Sequence, residues 1–158
     1  MTDKNSLLAK FWLLPSAKFA PRRMHGTDAG FDLAVQDDIR IDLHEFQIFS
    51  LGFAVKPPDG FYSQIYLRSS APRRYGLLMP NGSGIIDPSY CGPDDIVSLQ
   101  VWKFREGTQD LNQITILKKG TRIAQLIFMP LFQGEFVRSQ EVLADVCRGG
   151  LGSTGVEV

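Results

Sequence analysis

The residues able to do chemistry gather in five places along the chain. Residues 81–92 read Asn-Gly-Ser-Gly-Ile-Ile-Asp-Pro-Ser-Tyr-Cys-Gly. Asn-Gly is a strong hairpin signal and Asp-Pro begins turns, so a plain hairpin is one reading. The other is a ligand pocket built on that hairpin, walled by backbone that glycine leaves bare, with Asp87 and Tyr90 projecting inward. Arg68-Ser69-Ser70 lies where a strand hands over to a helix start. Backbone N–H groups are unpaired there and the helix dipole favours an anion. Arginine adds a planar fork suited to phosphate oxygens. A capped helix beside an exposed arginine fits the same three residues. Gln125 is the one polar side chain in the apolar run 123–129; it is either a satisfied core amide or a donor aimed into a cleft. Residues 149–155, Gly-Gly-Leu-Gly-Ser-Thr-Gly, supply bare N–H groups and two hydroxyls, as a phosphate nest or as a loose chain end. Asp28, Asp32 and Asp87 are the carboxylates nearest to glycines, a setting that also suits turn capping. The common theme is a polyanion held by hydroxyls, amides and arginine beside one carboxylate.

Short strands must position these groups. Residues 38–43 alternate, with Ile39, Ile41 and Leu43 opposite Asp38, Arg40 and Asp42, the period of a half-buried strand. The same reasoning predicts strands at residues 7–14, at Phe53 and Val55, at 61–67, at 97–101 with Val97, Leu99 and Val101 inward, at Ile114 and Ile116, at 123–129, and a last one at 132–137. Residues 69–76 are the best helix candidate, with serine at the start, Pro72 in the first turn and Gly76 as the C-terminal cap. Many short strands with regular turn signals describe an all-β sandwich, barrel or jelly roll. We divide the chain into a β-rich core, 1–138, and a glycine-rich C-terminal arm, 139–158.

The composition sets outer bounds. A chain of 158 residues has room for one domain with a real core. Lys+Arg and Asp+Glu are both 17, for a net charge of +0, which argues against a duplex nucleic acid or a membrane surface as partner. The apolar patch at 7–14 is broken by Lys10 and followed by no small-residue cleavage site, which is read as no secretion signal and an intracellular, cytoplasmic protein. Two cysteines, Cys91 and Cys147, are then expected as free thiols. No residues fall at metal-ligand spacing, so no structural metal is expected.

Five stretches, in order, resemble the five motifs of the trimeric dUTP diphosphatase (dUTPase) family. They are Asp28-Ala29-Gly30-Phe31-Asp32-Leu33, Arg68-Ser69-Ser70-Ala71, residues 81–92, Gly120-Thr121-Arg122-Ile123-Ala124-Gln125-Leu126-Ile127, and residues 149–155. The resemblance runs from residue 28 to residue 155. It implies a jelly-roll subunit, a homotrimer with active sites shared between subunits, and Mg²⁺-dependent hydrolysis of dUTP to dUMP and pyrophosphate. It implies that Asp87 activates the attacking water and that Tyr90 lies under the deoxyribose and crowds out a 2′-hydroxyl. Asn81 and the hairpin backbone, at Gly84 and Ile86, would read the uracil edge. Arg68, Ser69 and Ser70 would hold phosphates, Gln125 the α-phosphate, and Asp32 would support the site and the water shell of the metal. No protein group would ligate Mg²⁺ directly, since the ion favours phosphate oxygens and its own waters. The tail would close as a lid, Arg148 on the γ-phosphate, Leu151 over the base, and Gly152, Ser153 and Thr154 around the phosphates.

Three features depart from that pattern. Arg148 sits closer to the glycines than the family arginine does. Leu151 stands where the family has a phenylalanine that stacks on uracil, a contact worth ~1–3 kcal/mol on aromatic platforms. Pro93-Asp94-Asp95 lengthens the end of the third motif. Two rivals follow. A dCTP deaminase relative would need a glutamate in the strand at 96–101, which reads Ile-Val-Ser-Leu-Gln-Val. A dUTPase-fold protein that has lost catalysis and acts by binding partners would suit the altered tail, but Asp87, Tyr90, Arg68 and Gln125 are all present.

Overall fold

The computed structural model describes residues 8–144 and residue 146. The elements run β1 (Lys10–Leu13), β2 (Phe31–Ala34), β3 (Ile39–Ile41), β4 (Phe46–Ser50), β5 (Phe53–Lys56), β6 (Phe61–Leu67), α1 (Ala71–Tyr75), β7 (Leu77–Leu78), β8 (Gly84–Ile86), β9 (Ser98–Lys103), β10 (Thr115–Leu117) and β11 (Arg122–Pro130). They form a four-stranded sheet β2-β11-β6-β8, a three-stranded sheet β4-β9-β7, and two ribbons, β1-β5 and β10-β3. All these pairings are antiparallel. Most join strands distant in sequence, so the chain winds between sheets as a jelly roll does rather than folding up and down. Leu33, Val35, Ile41, Phe53, Ile65, Leu77, Leu99, Val101, Leu117, Ile123 and Leu126 fill one continuous core between the layers.

The period-two patterns hold where both faces are clear. In β3, Ile41 is buried and Arg40 exposed; in β9, Leu99 and Val101 point inward while Ser98 and Trp102 point out. Continuing that alternation brings Lys103 into the core, fully buried. Its Nζ donates to the Tyr75 carbonyl at 3.2 Å, to Thr115 Oγ1 at 2.9 Å and to the Asp110 carboxylate. Thr115 Oγ1 lies 2.5 Å from the other Asp110 oxygen, and the Gly107 N–H donates to the carboxylate at 2.8 Å. A charged strand end thus becomes a polar knot behind α1. Gly76 caps that helix with φ 64°, and a Cβ there would lie 1.8 Å from the Arg105 carbonyl oxygen, so only glycine fits.

Five expectations need correction. Residues 132–137 form no strand: Phe132 and Phe136 are 76% and 103% exposed, and this segment pairs with no strand of the described chain. The strand expected at Ile114 and Ile116 is β10, and it starts only at Thr115. Thr115 and Leu117 are buried and Ile116 is exposed, because Thr115 spends its hydroxyl on the Lys103–Asp110 knot. Ser70 stands at the helix N-cap but makes no side-chain capping bond; its φ and ψ of −80° and −16° are already helical, which turns the hydroxyl away from the first turn. β4 is absent from the sequence reading because Phe46 and Ile48 face outward, opposite to the usual sign of the pattern. Residues 81–92 are not a hairpin of two mutually paired strands. β7 pairs with β9 and β8 pairs with β6, so the Asn81-Gly82 turn carries the chain from one sheet to the other.

Candidate active site

The expected site residues fall into two clefts. The first, of ≈ 540 Å³, is lined by Asp28, Gly30, Asp32, Arg68, Ser69, Arg122 and Gln125, among others. Asp32 on β2 and Gln125 on β11 are register partners, so their side chains leave the sheet on the same face. A Cβ at Gly30 would lie 3.3 Å from Gln125 Oε1, so the glycine makes room for the amide. Arg68 follows the last residue of β6, and its N–H donates to the Ile123 carbonyl at 2.9 Å. This bond fixes the turn through Ser69 and Ser70 to β11 beside Gln125.

Asp32 is the electrostatic centre of this cleft. Its side chain is 13% exposed. Arg122 Nη1 donates to Oδ2 at 2.8 Å, and Arg68 Nε lies 3.3 Å from Oδ1. One carboxylate oxygen therefore accepts from Arg122, and the other is ion-paired with Arg68. Arg122 is the member that sequence reasoning missed. It sits three residues before Gln125, an odd spacing that places two side chains on opposite faces of a regular strand. A register shift between Arg122 and Ala124 breaks the alternation. Ile123 and Ala124 are both buried, and Arg122 and Gln125 emerge on one face.

The second cleft, of ≈ 280 Å³, gathers Asn81, Gly84, Ile86, Asp87 and Tyr90 with Met79, Ser98 and Gln100. Pairing of β8 with β6 places Gly84 opposite Ile65 and Ile86 opposite Ser63. Buried Ile86 anchors the strand, and Asp87 follows it into solvent. The Tyr90 N–H donates to the Asp87 carbonyl at 3.0 Å, closing a turn that sets the two side chains side by side. Tyr90 is 43% exposed, with its hydroxyl 3.4 Å from the Ile96 carbonyl. Asn81 Nδ2 donates to the Ser83 carbonyl at 3.1 Å, which leaves its Oδ1 as an acceptor. The Asp95 carboxylate takes the Gly92 N–H at 2.7 Å, so the lengthened Pro93-Asp94-Asp95 end closes the loop rather than the cleft.

The first cleft suits an anion with several oxygens, and the second suits a flat polar ring next to a free carboxylate. They share no lining residue. β2 and β8 are opposite edges of the same sheet, about 14 Å apart at roughly 4.8 Å per strand. Ser70 lies at the start of α1 beside Ser69 and lines neither cleft. Arg148, Leu151, Gly152, Ser153 and Thr154 lie outside the described residues, as does Cys147; Cys91 is half-buried and unpaired.

The model of the dUTPase family matches residues 17–155. A prophage-derived deoxyuridine 5′-triphosphate nucleotidohydrolase of Bacillus subtilis is 32% identical over 126 residues, 80% of this chain and 83% of that protein. A mutant dUTPase of Staphylococcus bacteriophage 80alpha, solved with dUpNHpp, superposes with a TM-score of 0.79 at 24% identity, covering 94% of this chain and 99% of that one. A mutant dUTPase from phage phi11 of S. aureus, whose structure details the coordination of a structural Mg(II) ion, gives a TM-score of 0.74 at 21% identity over 87% of this chain and 99% of that one.

Proposed function

The chain belongs to the dUTPase family, and from that premise we propose that it hydrolyses dUTP to dUMP and pyrophosphate at a site formed by two copies, each lending one cleft. The separation of the clefts carries this reading. Attack at the α-phosphorus needs the base, the water and the phosphate donors within hydrogen-bond reach, about 2.6–3.2 Å for each proton transfer. On one chain, Asp87 follows the edge strand β8, whereas Gln125 stands on the interior strand β11, two strands away at roughly 4.8 Å per strand. A second copy that brings its Asp87 cleft against the Asp32–Gln125 cleft removes the gap. An apolar outer face adjoins the second cleft and supports such packing. Phe46, Ile48, Leu78 and Trp102 are 51%, 58%, 39% and 39% exposed on the β4-β9-β7 sheet. The family resemblance supports a homotrimer as that assembly.

In this site the Asn81–Ile86 backbone and the Asn81 amide read the uracil, and the Tyr90 ring lies under the sugar. Asp87, exposed and following a buried anchor, takes the proton of a water aligned with the α-phosphorus. Gln125, Arg68 and Ser69 bind the phosphate oxygens as charge develops on them. Both Asp32 oxygens already face arginines, one by a hydrogen bond and one by an ion pair, so the carboxylate fits an outer-shell water acceptor better than an inner metal ligand. That would suit Mg²⁺ held by the phosphates and its own waters, which would neutralise phosphate charge. Residues 139–158 act as the lid, with Arg148, Leu151, Gly152, Ser153 and Thr154 over the nucleotide.

With Mg²⁺, purified protein is expected to release pyrophosphate from dUTP and far less from dCTP, dTTP or UTP; no release at micromolar enzyme refutes the activity. For the shared site, Asp87→Asn and Arg68→Ala subunits, each inactive alone, are refolded together. Mixed assemblies then contain intact sites and recover part of the wild-type rate. A mixture as inactive as its components refutes a site formed by two copies.

A further inference from the structure

We propose that Arg122 is a substrate-binding residue, the second arm of a two-arginine clamp on the nucleotide's phosphates for which Asp32 is the common anchor. The inference rests on the dUTPase reading and assigns a residue that reading leaves out.

Three observations converge. The first is charge. One carboxylate holds two guanidiniums, Arg122 Nη1 at 2.8 Å and Arg68 Nε at 3.3 Å. Around Asp32 two like charges face a single counter-charge, and a polyanion seated between the arginines would neutralise the local excess. The other carboxylate in the cleft, Asp28, accepts the His25 backbone N–H at 2.9 Å and pairs with neither arginine. The second is donor count. A guanidinium carries five N–H groups in a fixed fork. Asp32 accepts from Arg122 Nη1 and is ion-paired with Arg68 through Nε. Nε and Nη2 of Arg122, and both terminal nitrogens of Arg68, are left for other acceptors, oriented by the anchor. Arg122 and Arg68 are 42% and 34% exposed in the side chain, and both line the same ≈ 540 Å³ cleft. The third is the strand. The register shift between Arg122 and Ala124 interrupts the β11–β2 ladder. Its effect is to turn Arg122 onto the face of Gln125 and Asp32. Bulges beside active sites re-aim side chains in this way.

The competing role is structural: Arg122 merely holds Asp32 in place. The two roles differ in how the loss depends on phosphate number. Binding of dUMP, dUDP and the non-hydrolysable dUpNHpp is measured by calorimetry with Mg²⁺ for wild type, Arg122→Gln and Arg122→Lys. A lost charge-assisted bond weakens binding by ~10–100-fold. For Arg122→Gln, dUpNHpp binding is expected to fall by that factor, dUDP by less, and dUMP by under ~3-fold. Arg122→Lys keeps the charge on Asp32 but not the fork, so an intermediate, equally graded loss is expected. It also serves as the test if the glutamine variant does not fold, as judged by thermal denaturation. Equal weakening for all three ligands, or dUpNHpp binding within ~3-fold of wild type, overturns the inference. Wild-type pyrophosphate release from dUTP in parallel separates this failure from failure of the dUTPase reading. If the wild type is active and Arg122→Gln binds as wild type does, only the clamp falls.

Discussion

Asp110→Asn tests whether the buried knot behind α1 holds the fold and, through it, the phosphate-binding turn. The Lys103 side chain is 0% exposed and that of Asp110 5%, so solvent screening does not soften their interaction. Asp110 accepts from Lys103, Thr115 and the Gly107 N–H. Removing its charge leaves a buried ammonium with carbonyls and a hydroxyl alone. One-sided loss of a buried pair costs about 3–5 kcal/mol, or roughly 6–20 °C in Tm for a chain of this size. The pH dependence adds a second arm. Burial acts to raise the Asp110 carboxyl, but hydrogen bonds from Lys103, Thr115 and Gly107 outweigh it and hold the group below the ordinary carboxylate range. With the folded value lowered, the stabilisation is complete above the unfolded pKa of ~3.9 and is lost as pH falls through the folded value. Wild type should therefore lose stability below about pH 4 through this pair, and Asp110→Asn should lack that component. Urea unfolding at fixed protomer concentration, from pH 3 to 7, reads both. A variant within ~0.5 kcal/mol of wild type at pH 7 refutes the reasoning. The same variant should raise KM for dUTP, because Lys103 and Thr115 hold the Tyr75 carbonyl at the end of the helix that begins after Ser70.

Further outcomes follow from the same structure. Asp87→Asn should lower kcat by at least ~100-fold while dUpNHpp binding stays measurable; unchanged turnover removes Asp87 from the role of base. Gly76→Ala should destabilise by more than ~1–2 kcal/mol, since a left-handed residue would also meet the Arg105 carbonyl at 1.8 Å. Thermal melts that match wild type would contradict the cap. Leu151→Phe should lower the Michaelis constant for dUTP by adding a stacked ring, and an unchanged constant would mean the tail does not cover the base. Light scattering should give three times 17.6 kDa; a monomer would leave the two clefts apart.

Much of the fold and the motif set was legible because both rest on local rules. Alternation in residues 38–43 and 97–101 follows from side chains pointing to opposite faces of a strand. The Gly76 cap follows from a conformation that glycine adopts without strain. The order of Asp32, Arg68, Asp87 and Gln125 along the chain carried the family. What misled the reading was non-local. β4 shows its aromatic and aliphatic residues to the outside, a pattern whose sign depends on what covers the face. Residues 132–137 have the composition of a strand but pair with no strand of the described chain. Lys103 and Thr115 are buried only because Asp110, several residues away in a loop, meets them.

The sequence by itself determined which groups are available: a carboxylate after a buried isoleucine, a tyrosine three residues on, an arginine before two serines, and one glutamine in an apolar strand. Tertiary structure decided how they are grouped. Pairing β8 with β6 and β2 with β11 put them in two separate clefts on one sheet. A single register shift in β11 brought Arg122 to Asp32. Neither is written in residue types, because strand partners and bulges are set by which long-range ladder closes over the core, and that choice belongs to the whole chain.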